Sequence, residues 1–133
     1  MRVSLMISLA STGFFVMPAT AQRDSTMEEQ PNQFGICTKA SQVTSDILDC
    51  LGDADRRDDK VLNQTYQQIM SRLDAARRAR LRASERHWLA ARKRDCNAEA
   101  TAYSTGSWWS VMYASCIDDS TNMRVTWLRQ HYR

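Results

Sequence analysis

The sequence predicts an all-α protein, a small disulfide-stapled helical hairpin or three-helix bundle. Three observations lead there. Apolar residues recur at spacings of three, four and seven along most of the chain, the period of one helix face. No segment alternates with period two over enough residues to argue for a strand, and both prolines, Pro18 and Pro31, precede Cys37. The four cysteines, Cys37, Cys50, Cys96 and Cys116, are an even number in a chain that opens like an exported protein, which reads as two disulfides.

Residues 1–21 carry one positive charge at Arg2, an apolar run from Val3 to Met17, and the small residues Ala19-Thr20-Ala21. That is the pattern of a secretory signal peptide, with cleavage expected after Ala21. No cysteine follows the cut to take a lipid, and no later segment approaches the roughly 20 apolar residues of a membrane span. Residues 22–36 are polar, contain Pro31 and Gly35, show no apolar period, and are expected to form a flexible arm. The helical domain is expected over 37–133.

Within it, Ile47, Leu51, Ala54, Val61, Leu62, Tyr66, Ile69 and Leu73 place a long amphipathic helix at about 45–73, with Thr44 or Ser45 as its N-cap ahead of Asp46. Gly52 weakens one turn by about 1 kcal/mol without ending the helix. A second helix, at about 78–103, is rich in Ala, Arg and Glu and carries Leu81, Trp88, Leu89, Arg92, Cys96 and Tyr103. Ser104-Thr105-Gly106-Ser107 interrupts it. Trp109, Met112, Cys116, Met123 and Trp127 restart the period in a third helix at about 108–131. If the last two helices fold back around Gly106, Cys96 and Cys116, each ten residues from it, face one another. Cys96 with Cys116 and Cys37 with Cys50 is the preferred pairing. The alternative joins Cys37 to Cys96 and Cys50 to Cys116.

Charge and motif content exclude several function classes. The formal charge of +3 falls to +2 once Arg2 leaves with the signal peptide, which is no nucleic-acid footprint. No Cys-x-x-Cys pair occurs and neither His87 nor His131 neighbours the cysteines, so no metal is expected. Isolated glycines offer no phosphate-binding loop or dinucleotide fingerprint, and no cofactor is expected. Paired cysteines supply no thiolate, and adjacent carboxylates such as Asp58-Asp59 or Asp118-Asp119 diverge on a helix, so catalysis is not expected.

Two features ask for a role. Trp88, Arg92 and Cys96 stand four residues apart on one helix face, so Arg92 needs an acceptor within a mostly apolar environment. Pairing the first two helices about a turn near Ala76 brings Asp59 to its level, with Asn63 completing the acceptor set and Thr121 or Arg124 joining from the third helix. These polar residues are expected to fix helix register. Trp108 and Trp109 are neighbours and cannot both face a helical core, so one is expected on the surface as a partner-binding anchor. The basic run Arg77–Arg82 is expected as a solvated helix start, badly matched to the helix dipole.

The stretches LNQTY (62–66), RHWLAARKRDC (86–96) and CIDDSTNMR (116–124), in that order and with four cysteines, resemble the LprI-like lysozyme-inhibitor family. The resemblance covers about 37–128 and rests on Leu62, Asn63, Tyr66, Arg86, Trp88, Arg92, Gly106, Ser107, Thr121 and Arg124, with Asp59 and the cysteines. Glu85, Lys93 and Asp58 depart from the family pattern. The resemblance implies an exported, periplasmic or secreted helical protein that binds a protein partner, a lysozyme, in some members. The alternative is an envelope-associated structural protein with another partner.

Overall fold

A computed structural model of the chain describes residues 32–103 and 106–133. The expected signal peptide and residues 22–31 of the expected arm lie outside them. Four helices follow one another: α1 (Gln33–Ala40), α2 (Thr44–Arg72), α3 (Ala75–Ala100), a single 3-10 turn (Thr101–Tyr103), and α4 (Trp108–His131). The described residues contain no strand, and no helix among them is long and apolar enough to cross a membrane.

Helix α1 corrects the expected arm, since its residues 33–36 are helical. The segment has no apolar period of its own, so its order comes from elsewhere in the chain. Asn32 caps it by accepting a hydrogen bond from the Gly35 amide at 2.8 Å, Phe34 lies against Trp108 with ring centroids 6.3 Å apart, and Cys37 is bonded to Cys50. Helix α2 matches its expected span, yet its N-cap is Val43, with no side-chain cap. Just ahead of it the Ser41 hydroxyl accepts from the Val43 amide at 3.0 Å and donates to Asp46 at 2.9 Å, fixing the entry to the helix without capping its first amides. Helix α3 starts three residues earlier than its apolar period suggests because Asp74 caps it, accepting the Arg77 amide at 2.8 Å. That hydrogen bond also holds the exposed Asp74 carboxyl below the usual carboxylate range.

The packing centres on α4. It lies along α2 for much of its length and also covers α3, whereas α2 and α3, joined only through Leu73 and Asp74, scarcely approach each other. One apolar cluster joins Leu62, Ile69, Leu81, Val125 and Leu128, flanked by Tyr66, Trp88 and Trp127. A second joins Cys37, Ile47, Leu51 and Val111, flanked by Phe34. Between them α4 buries Asp118, Thr121 and Arg124, so a polar layer divides the core.

The bridges are Cys37–Cys50 and Cys96–Cys116, with Cα atoms 5.7 and 5.5 Å apart. The second ties the end of α3 to α4 across 20 residues of chain. Replacing Cys96 and Cys116 together by serine is expected to cost about 3 kcal/mol, the loop-closure entropy of such a crosslink. Urea denaturation measures it, and a loss below about 1 kcal/mol would deny the bridge a stabilising role.

Candidate functional site

Arg92 is the residue whose placement most needs a physical account. Its guanidinium lies 4.7 Å from the centroid of the Trp88 ring, one turn earlier on α3, and Cys96 one turn later is buried. The stem is thus covered by apolar neighbours while the head remains polar. Its acceptor is Thr121, which takes a hydrogen bond from Nη1 at 2.7 Å and donates its own hydroxyl to the Ile117 carbonyl at 2.8 Å. Asp59 is at the right level but 4.0 Å away, and half of its side chain is exposed. The α2–α3 ion pair expected from the sequence is thus present but long, and Thr121, joining from α4 as expected, supplies the closer hydrogen bond. Asn63 is exposed and, among the described residues, makes no side-chain hydrogen bond, so it does not complete the acceptor set.

The enclosed ion pair lies elsewhere. Arg124, only 7% exposed, donates from Nε and Nη2 to one Glu85 oxygen at 3.0 and 2.9 Å, and from Nη2 to the Ser84 hydroxyl at 2.9 Å. Trp127 lies 4.3 Å from its guanidinium carbon and Trp88 5.5 Å, so two indole faces sandwich the cation. The sequence held a signal for this: Trp88 and Arg124 each stand eighteen residues from Gly106, the same reflection that pairs Cys96 with Cys116. Glu85 lies one turn before Trp88 and is the departure from the family pattern that completes the pair.

Carboxylates also meet, between helices rather than within one. Asp118 of α4 is 1% exposed and faces Asp58 and Asp55 of α2. Burial first, then the hydrogen bond and repulsion from Asp58, push the Asp118 carboxyl up to about 7. Asp58 also accepts the Asn122 amide at 2.6 Å. Burial raises Asp55 as well, with Asp59 adding repulsion, and it raises Asp119, with Glu99 adding repulsion. One oxygen each of Asp55 and Asp118 is enclosed without a hydrogen-bond partner among the described residues. Considering only neighbours along one helix concealed this cluster. Asp58, Asp118 and Asp119 border an open hollow together with Asn122, and among the described residues no group of His, Cys, Asp or Glu is arranged to hold a metal ion.

Two of the open surfaces carry residues that the sequence singled out. A groove of about 350 Å³ runs between α2 and α3, where Leu62, Tyr66 and Leu89 meet Asn63, Arg82, Arg86 and Arg92. Many of the motif residues converge on it: Asp59, Leu62, Asn63, Tyr66, Arg86 and Arg92 from two helices. The other surface is aromatic. Trp108 is 45% exposed and shares a hollow with Tyr103 and Gly106, beyond the exposed Ser107 that precedes α4. Trp109 is half-buried and stacked on Tyr113, ring centroids 5.1 Å apart, so Trp108 is the outward member of the pair. His87 is exposed, and His131 is stacked on Trp127 at 4.2 Å.

The family model described as "Lysozyme inhibitor LprI" matches residues 37–128. No curated protein and no solved structure matches the chain.

Proposed function

The chain belongs to the LprI family, and from that premise we propose that it is an exported, non-enzymatic inhibitor that acts by binding a muramidase. The match over residues 37–128 carries this reading. It takes in both disulfides, and such bridges persist in the oxidising compartments outside the cytoplasm. In this reading residues 1–21 direct export and are removed after Ala21, residues 22–32 lead into the domain, and residues 37–133 act in the periplasm or medium. Two of the molecule's charged groups are turned inward: Arg124 holds Glu85, and Asp118 is buried against α2. What it offers outward is shape, an exposed indole and cationic side chains, the makings of a binding surface.

The exposed Trp108 is the apolar anchor in this reading, since a rigid ring buries much area at small entropic cost. Purified protein lacking residues 1–21 is expected to slow a panel of muramidases at micromolar concentration. Trp108→Ala is expected to raise the half-inhibitory concentration about tenfold or more, as loss of an interface anchor does. No slowing of any muramidase would defeat the proposal and leave an envelope-associated protein with another partner as the better reading.

A further inference from the structure

The first half of α3 carries five arginines, Arg77, Arg78, Arg80, Arg82 and Arg86, and a single acid, Glu85. That acid does not offset them at the surface, because it is 15% exposed and holds the buried Arg124. Two of the five have partners nearby: Arg77 lies 3.4 Å from Asp74, and Arg78 donates to the Leu73 carbonyl at 2.6 Å. Arg82 and Arg86 are different. They are exposed, stand one turn apart on the same helix face, and form no ion pair or side-chain hydrogen bond among the described residues. Both border the groove between α2 and α3, beside the apolar side chains of Leu62 and Leu89 and the unengaged amide of Asn63.

The helix dipole disfavours cations only in the first turn, so it bears on Arg77 and Arg78, which have partners, and leaves Arg82 and Arg86, two and three turns in, exposed and unpaired for another reason. The near-neutral formal charge hides a separation of sign: α2 carries Asp46, Asp49, Asp53, Asp55, Asp58 and Asp59 against Arg56 and Arg57 over that stretch, while the first half of α3 is basic. A guanidinium beside apolar surface binds a carboxylate more strongly than one in open water, and does so with two directed hydrogen bonds. Muramidases hydrolyse glycosidic bonds, chemistry that commonly requires two carboxyl groups flanking the scissile bond.

We infer that Arg82 and Arg86, overhanging the α2–α3 groove, form the surface that engages the carboxylate-bearing cleft of the muramidase. This rests on the muramidase-binding reading and adds the contact surface, the part of the enzyme contacted and the mode of inhibition. Inhibition is then competitive with substrate and weakens as salt rises.

The test uses a soluble, uncharged oligosaccharide substrate, so that coating an anionic cell wall cannot mimic enzyme binding. With it, the unaltered protein is expected to raise KM and leave kcat unchanged. The double variant Arg82→Glu/Arg86→Glu is expected to raise the half-inhibitory concentration at least about thirtyfold, because it sets like charges against each other. Its melting temperature should stay close to that of the unaltered protein, as exposed substitutions remote from a packed feature allow. Lys39→Ala/Arg129→Ala, which removes two exposed charges away from the groove, should inhibit normally. Unchanged inhibition by the arginine double variant, an equal loss in the Lys39/Arg129 control, or a fall in kcat at constant KM would each overturn the inference while muramidase binding stood. Slowing only on whole cell walls would overturn both and assign the surface to an anionic polymer, and slowing on neither substrate would likewise end both.

Discussion

Arg124→Ala is expected to destabilise the protein by about 3 to 5 kcal/mol, the usual result of removing one partner from an enclosed ion pair. The loss has three sources. Glu85, at 15% exposure, would keep its charge without a counterion, Ser84 would lose the guanidinium it meets, and the space between Trp88 and Trp127 would lose the cation that fills it. Arg124→Met separates these effects, since it fills much of the space and leaves the charge orphaned. The double change Arg124→Met/Glu85→Gln should recover a large part of the loss, because it removes both ions together. Urea titrations of the parent, Arg124→Met, Glu85→Gln and the double variant give the coupling energy directly. A coupling within about 0.5 kcal/mol of zero would mean that Glu85 and Arg124 act independently.

Asp118 makes stability depend on pH in the opposite sense to an ordinary paired carboxylate. Its folded value, about 7, lies above the 3.8 of the exposed group, so the folded state holds a proton that the unfolded chain releases. The stability tied to that proton is fully present below pH 3.8 and is lost as pH rises through about 7. Each pH unit between the two values is worth roughly 1.4 kcal/mol, so the charge on Asp118 costs up to about 4 kcal/mol in alkaline solution. Asp55, Asp58 and Asp119 surround it with like charge, while Arg92 is the nearby cation acting on Asp55. The melting temperature is therefore expected to climb as pH is lowered from 8.5 to about 5.5, over the interval set by these raised values. Asp118→Asn should be the more stable protein at pH 8.5 and show a much flatter profile. A variant that melts lower than the parent at pH 8.5, or keeps the parent's slope, would refute the role assigned to Asp118.

The sequence made the three long helices readable because each has an apolar face of its own and stops at a clear signal. Gly106 marks the second turn and His131 is the expected end, whereas periodicity set the first turn near Ala76 and did not show the capping role of Asp74. The reflection about Gly106 was legible too, since it places Cys96 beside Cys116. Helix α1 was hidden because its order is borrowed: Phe34 and Cys37 gain their partners from Trp108 and Cys50, far along the chain. The polar layer was only half visible. Arg92 announced itself by its place between Trp88 and Cys96, but its acceptor depended on which helix occupies the centre. Pairing helices in chain order set Asp59 against Arg92, and that pair is present at 4.0 Å, but the central place of α4 makes Thr121 the nearer acceptor and leaves Asn63 out. The same choice of neighbours hid Asp58 against Asp118 and Glu85 against Arg124. Periodicity shows which side of a helix turns inward, and says little about whose side it meets.

Both crosslinks sit toward one end of the molecule, with α1, the start of α2 and the start of α4. At the far end, where Ile69, Leu81 and Leu128 meet under the Leu73–Asp74 turn, α4 is held to the other two helices by side-chain contact alone. Thermal breathing should therefore be lopsided, the end of α4 lifting from that turn while the sulfur-tied end stays shut. Refolding inherits the same asymmetry. An oxidised chain begins its search already fastened at one end, and the hairpin of α2 and α3 has only to close onto α4.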